Sequence, residues 1–392
     1  MFLGAVSQQN KIKGRGLLVP IPPVTTATFT AADNFQSRVS VELARFRTWA
    51  GSTNKLFLGE CGIPNDIAGE QTDWNNIIAL VAKRCAADNI SFTYWASGHE
   101  WGTTYELSPY QSSTANPGGV WSNTGSGIAV TSALDYLKNH VTFTGYNYAG
   151  NEFGTSESAS TAAPSEADFT FHVNKGHSYL RYPIGEPSWT TAWLWTPATN
   201  TFVADRLTHV EYVMNRAQAT GVKIILDLLH PGGGAKYATI DGSSITNTAA
   251  YDEYILYLTA LLNHTFNDNN GVSRSLKNHP ALYAVDIVNE PQTVAVATWE
   301  TRSQSILNVL RDAGGINYQG IVMIPLGNYS GIQDLTFNHA GGPWITDSAN
   351  NFMYEGHYYP EAGHDGAFTS TYAAEVTAAS AFAGQGSFDY PV

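Results

Sequence analysis

Charge is scarce in this sequence of 392 residues: 14% are Asp, Glu, Lys or Arg, against 43% hydrophobic. A chain so apolar has the material for a large core, which excludes a disordered class. What charge there is leans acidic, 33 Asp and Glu against 20 Lys and Arg. No basic cluster interrupts it, so nucleic acid is not an expected partner. Cysteine is reduced to Cys61 and Cys85. The pattern puts Cys61 at the top of a strand and Cys85 near the far end of the next helix, too far apart to bridge, so two free thiols are expected. Cys61 has no convincing His partner and reads as packing, not as a nucleophile. No apolar run is long enough to span a bilayer, and no membrane partner is expected. Residues 1–16 lack the apolar core of a secretion signal, and residues 17–23 are short and broken by proline. Gly232-Gly-Gly lacks the Gly-x-Gly-x-x-Gly spacing, which argues against a nucleotide cofactor. No His pair stands at metal-ligand spacing, so no metal is expected either.

Aromatics, by contrast, are plentiful: ten Trp and twenty-one Tyr. Many lie in stretches rich in Gly, Ser and Thr that read as loops, and aromatics on loops suit stacking against the apolar faces of sugar rings. Trp189, Trp193 and Trp195 form the best candidate platform.

Residues 283–291, Tyr-Ala-Val-Asp-Ile-Val-Asn-Glu-Pro, organise the rest. Positions 283–288 are short, apolar and β-branched, as a covered parallel strand should be, with Asp286 the one charge. Pro291 stops the ladder, so Asn289 and Glu290 sit at a strand's carboxyl end. Residues 55–64 repeat the device, with Gly59-Glu60 closing an apolar run. Further strands are expected near residues 90–98, 143–153, 177–183, 222–230, 320–329 and 352–359. They end in Trp95, in Arg181, in Asp227-Leu-Leu-His230 and in His357-Tyr358-Tyr359. Helices are expected over residues 35–50, 73–85, 133–139, 166–176, 206–220, 251–266, 299–313 and 371–382, with a long loop over 106–131. Eight strands separated mostly by amphipathic helices predict an α/β chain folded as one (β/α)8 barrel over residues 1–392, with 1–34 as an irregular arm.

With these residues in place, the chain resembles glycoside hydrolase family 5, the cellulase-like retaining β-glycanases, over most of residues 35–360. The resemblance matches Asn289-Glu290-Pro291 to the family's acid/base strand, Gly59-Glu60 to its nucleophile strand, Arg181 to its strand-two arginine and Trp95 to its subsite tryptophan. His357 with Tyr358 or Tyr359 matches its His-Tyr pair. The family's third strand usually ends Asp-x-His-Asn, and Asp227-Leu-Leu-His230-Pro is one residue longer, which leaves the role of His230 open. The order differs too. Here the nucleophile strand comes first, which implies a circular permutation, strands seven and eight and then one to six. Such a permutation could be natural, engineered or a cut from a tandem array.

The resemblance implies double displacement with retention, Glu60 as nucleophile and Glu290 as acid/base. Asn289 would hold the 2-hydroxyl, Arg181 and the neighbouring tyrosine would keep Glu60 ionised, and Trp95 would floor the subsite. The implied activity is an endo-β-1,4-glucanase. The alternatives are a β-mannanase or β-1,3-glucanase with the same machinery, or a non-catalytic carbohydrate-binding barrel. The implied partner is a β-glucan or related polysaccharide. A secreted, monomeric protein without cofactor or metal is expected, its signal peptide not present in this chain.

Overall fold

A computed structural model describes residues 31–64, 69–97, 107, 144–148, 164, 166–185, 194–196, 198–230, 248–291, 295–333, 335–361, 363–364, 366 and 371–383. Eight strands form the barrel: β1 (Leu56–Cys61), β2 (Ile90–Ser97), β3 (Thr144–Tyr148), β4 (Tyr179–Gly185), β5 (Lys223–His230), β6 (Leu282–Asp286), β7 (Ile321–Pro325) and β8 (Phe352–Tyr358). Each pairs in parallel with its neighbours in chain order, and β1 pairs with β8 to close the ring. Closure leaves no free edge. The fold is the expected (β/α)8 barrel.

The helices are α1 (Ala31–Ala50), α2 (Gln71–Ala87), α3 (Glu166–Lys175), α4 (Ala204–Thr220), α5 (Thr248–Asn263), α6 (Val296–Arg311), the single turn α7 (Leu335–Asn338) and α8 (Tyr372–Ala383). Apolar residues recur at helical spacing on α1, and Phe35, Val39, Leu43, Phe46 and Ala50 are all buried against the barrel. Gly221 ends α4 in the left-handed conformation that a residue without a Cβ adopts cheaply. The α1 helix starts four residues before the expected boundary, inside the supposed arm, whose residues 1–30 lie outside the described residues. The helix expected over 133–139 and the loop over 106–131 lie outside them as well, save Leu107. Helices α1 and α8 are neighbours: Phe35 meets the ring of Tyr372 at 5.5 Å, and Arg38 reaches Glu375 at 3.7 Å.

Cys61 and Cys85 are free and buried, as expected. Burial pushes the Cys61 thiol well above its usual value, with Cys85 and then Glu361 adding to it. Among the described residues no helix is long and apolar enough to cross a membrane. Trp195 is not on a loop platform. It lies in a two-residue strand, 2% exposed, with its ring 5.0 Å from Phe202 and 5.9 Å from Tyr257. It is core, because the hairpin formed with Thr201–Phe202 turns it inward.

Candidate active site

Side chains alternate along a strand, so counting by two gives the positions that face the barrel axis. One layer is apolar: Phe57, Tyr179, Ile225, Ala284, Met323 and Met353 form a buried cluster. Two residues further up the strands, the layer turns polar. Gly59, Arg181, Asp227, Asp286, Pro325 and Glu355 stand there, with Thr93 and Asn147 from β2 and β3. The charged and polar members of this layer are 0% exposed. Burying that many polar groups is costly unless each is paired, and Arg181 supplies most of the pairing.

Arg181 donates from Nε to Asp286 Oδ2 at 3.0 Å, from Nη1 to Glu60 Oε1 at 3.2 Å and to Asn147 Oδ1 at 2.9 Å, and from Nη2 to Asn289 Oδ1 at 2.8 Å. Asp227 lies 3.5 Å from Nη2 and Glu355 3.4 Å from Nε. Burial works against the guanidinium's charge, but Glu355, Asp227, Asp286 and Glu60 outweigh it, and Arg181 stays a cation. The planar fork suits this role, since one side chain offers five donors in fixed directions.

Glu60 reaches this layer by a bulge. Leu58 pairs with Gly356 and Glu60 with His357, so Gly59 is the extra residue on β1. The slip turns Glu60 inward where strict alternation would have aimed Cys61. Asn147 Nδ2 donates to the Gly59 carbonyl at 2.8 Å, and the Thr93 hydroxyl donates to the same oxygen. Only glycine fits here: a Cβ on residue 59 would lie 1.8 Å from Glu355 Oε1. The Tyr359 hydroxyl donates to Glu60 Oε2 at 2.9 Å, and with Arg181 it grips both oxygens of a carboxylate that is 3% exposed.

Glu290 is set differently. The ladder of β6 ends at Asp286, earlier than expected, and residues 287–290 leave it as irregular chain. The Asn289 amide donates to the Leu229 carbonyl at 2.8 Å. Glu290 then takes a left-handed φ of 45°, a strained conformation for a residue with a side chain. Its side chain stays 26% exposed, and His357 Nδ1 donates to its Oε1 at 2.8 Å. The same Nδ1 lies 3.6 Å from Glu60 Oε2, and Nε2 faces Glu355 Oε1 at 3.4 Å. Burial opposes the imidazolium, but Glu60, Glu290 and Glu355 together raise the His357 pKa well above its ordinary value. One oxygen of Glu60, one of Glu290 and a ring nitrogen of His357 all lie within 4.8 Å of one another. His357 uses its ring nitrogens on Glu290 and Glu355, with Glu60 3.6 Å from Nδ1, so we read the three as an ion-paired set.

Glu60, Glu290, Asn289, Arg181, His357 and Tyr359 thus converge. Tyr358 does not join them. It faces the outside of the barrel, where its hydroxyl donates to Glu42 Oε2 on α1 at 2.7 Å. Trp95 stands near the carboxyl end of β2, 7% exposed, and its peptide bond to Ala96 is cis. His230 closes β5 opposite Gly185, with its side chain outside the described residues. Trp189 and Trp193 lie outside them too. Four residues of the polar layer escape motif reading: Asn147, Asp227 as an Arg181 partner, Asp286 as another, and Glu355. The signal for Glu355 was available, since it stands two residues before His357 and must share its face.

Parallel strands closed into a ring, with acidic groups gathered at the carboxyl ends, define a barrel with the active-site layout of its class. The model of the cellulase family, glycosyl hydrolase family 5, matches residues 138–385, more than half of the sequence, and the chain belongs to that family. Among solved structures, an endoglucanase from Pseudomonas stutzeri is similar at 21% identity and a TM-score of 0.44, over 57% of this chain and 63% of that one. A tri-modular endo-β-1,4-glucanase from Bacillus licheniformis is similar at 20% identity and a TM-score of 0.43, over 58% of this chain and 42% of that one. A family 5 mannosidase from Rhizomucor miehei follows at 14% identity and a TM-score of 0.32, over 42% and 45%. The chain spans less than two thirds of the length of each. No curated protein matches.

Proposed function

We propose that this protein is a retaining β-glycanase, acting on β-1,4-glucan from within the chain. The observation that carries the reading is the approach of Glu60 and Glu290, with one oxygen of each within 4.8 Å. Retaining enzymes hold their carboxyl groups roughly 5–5.5 Å apart, whereas inverting ones leave about 6.5–9.5 Å for a water. Glu60 attacks the anomeric carbon as the bond to the leaving oxygen breaks, and Glu290 gives that oxygen its proton. Water then attacks the glycosyl-enzyme while Glu290 takes the water's proton, and Glu60 leaves. Two features support the division of labour. Glu60 is gripped on both oxygens by Arg181 and Tyr359, as a fixed nucleophile should be. Glu290 is the more exposed of the two, as an exchanger of protons with water should be. Asn289, with its oxygen held by Arg181, would hold the sugar 2-hydroxyl. Trp95, and Trp189 and Trp193 by their sequence, would line the sugar path. Secretion belongs to this proposal, since a polysaccharide substrate lies outside the cell.

The order of strands is part of the proposal. The family match begins at residue 138, just ahead of β3, and ends at 385, just after α8. This supports a permuted order, with β1 and β2 in the places of the family's last two strands.

Hydrolysis of a panel of β-1,4-glucan, β-1,3-glucan, mannan and xylan tests the function, run beside Glu60→Gln and Glu290→Gln. The expected result is turnover of β-1,4-glucan with a fall of at least about 10³-fold in either variant. Preference for mannan or β-1,3-glucan would move the substrate and keep the machinery. Activity surviving in either variant would sink the role given to that residue, and binding without turnover would make this a carbohydrate-binding barrel.

A further inference from the structure

Four acidic side chains, the proposed nucleophile among them, surround one arginine, and their charges do not balance. Glu60, Asp227, Asp286 and Glu355 all lie within 3.5 Å of Arg181. The nearest second cation is His357, which Glu290 also uses. Asp286 and Glu355, like Asp227, are 0% exposed, and these two both reach the same guanidinium nitrogen, Nε. Two carboxyl groups on one N–H must be close neighbours. Each uses a single oxygen for its partners. Asp286 Oδ2 accepts from Arg181 Nε and Nη2. Glu355 Oε1 faces Arg181 Nε and His357 Nε2. The second oxygen of each, Asp286 Oδ1 and Glu355 Oε2, is buried without any hydrogen-bond donor.

Two acceptors left blind side by side, in a low-dielectric interior, cost more than almost any other arrangement of the same atoms. One hydrogen resolves both. We propose that Asp286 and Glu355 share a single proton, with Asp286 as the neutral acid donating from Oδ1 to Glu355 Oε2, and that this pair positions Arg181 and His357 under the catalytic glutamates. Glu355 is the better anion of the two because it lies between two cations. Burial and then the neighbouring Glu355 push the Asp286 pKa well up against the opposing pull of Arg181. For Glu355, burial acts upward but Arg181 and His357 outweigh it and bring the pKa down. The other ionisable groups facing the pair are Asp227 on β5, Glu60 on β1 and Tyr254 on α5, whose phenol is pushed up by burial and feels Asp286. From β7 the same layer receives only Pro325, and from β2 and β3 only the neutral Thr93 and Asn147. The anion of Glu355 in turn fixes the Nε2–H of His357, so that Nδ1–H points to Glu290. Asp286 and Glu355 are therefore positioning residues.

The proposal goes beyond the glycanase reading, and its tests do not need turnover. Infrared spectra of the intact chain at neutral pH are expected to contain the carbonyl stretch of a protonated carboxyl group that does not exchange readily with solvent. Asp286→Asn should abolish it while keeping the fold, because an amide N–H donates where the O–H did. Glu355→Gln should abolish it as well, by donating to Asp286 and letting it ionise. If Asp286→Asn does not fold, Glu355→Gln serves alone. Thermal melting supplies the second readout. An acid whose folded pKa is raised stabilises fully below its unfolded value, about 3.9, and loses that contribution as pH rises through the folded value. Wild type should therefore lose melting temperature relative to Asp286→Asn from about pH 4 upward, until Asp286 ionises. No slowly exchanging protonated carboxyl in wild type, that same shielded band surviving in both variants, or parallel melting curves across pH would each overturn the shared proton. Loss of hydrolysis with the band intact would count against the glycanase reading alone.

Discussion

Two adjacent tyrosines, at the end of β8 and just past it, illustrate how much a single side-chain direction decides. Tyr359 donates to Glu60 and Tyr358 to Glu42, on opposite sides of the same wall. Removing each hydroxyl should therefore separate chemistry from stability. Tyr359→Phe is expected to lower kcat roughly tenfold or more, since a charge-assisted donor to the proposed nucleophile is gone, with little change in melting temperature. Tyr358→Phe should leave kcat unchanged and cost about 1–2 kcal/mol, because a buried carboxylate on α1 loses its hydroxyl donor. Kinetics and melting curves of the two variants check this, and equal effects would undo the distinction. The motif His357-Tyr-Tyr leaves the choice open, although alternation from His357 puts Tyr359, two residues on, on the inward face and Tyr358 on the outward one.

At the scale of the element, the strands were legible and their ends were not. Period and composition located all eight strands within a few residues, because short β-branched runs between amphipathic helices have few other uses. The bulge at Gly59 was illegible, since it depends on β8, nearly three hundred residues away. The early end of β6, which leaves Glu290 on strained irregular chain, was also hidden. The polar layer was half legible. Arg181, Glu60 and Asn289 sat in motifs, but Asn147, Asp227 and Glu355 matter only through neighbours on other strands. Gly59 shows what this costs. Gly59→Ala places a methyl against Glu355 and should destabilise by about 1–3 kcal/mol. It should also lower activity more than stability, by displacing Glu355 from Arg181 and His357. Melting and kinetics measured together test it, and an alanine variant with unchanged kcat would contradict the geometry.

Across the whole molecule, a ring has no first strand, so chain order is free to vary as long as neighbours stay neighbours. The contact of α1 with α8 makes a direct rearrangement feasible. A chain in which residues 31–97 are joined behind α8 by a flexible linker, so that β3 leads, is expected to fold into the same barrel. Its melting point should fall within about 5 °C of the parent, and it should hydrolyse the same polymer. Failure to fold would show that β1 and β2 are not equivalent to the family's last two strands.

The ring of acids around Arg181 carries one more implication, for timing. Its members come from β1, β5, β6 and β8, from near one limit of the described chain to near the other. A partly formed barrel, or a chain still emerging and short of residue 359, lacks at least the Tyr359 donor to Glu60 and holds no complete site. Such species are inert by construction. Competence should therefore arrive in a single step, when β8 meets β1 and the last carboxylates find their arginine.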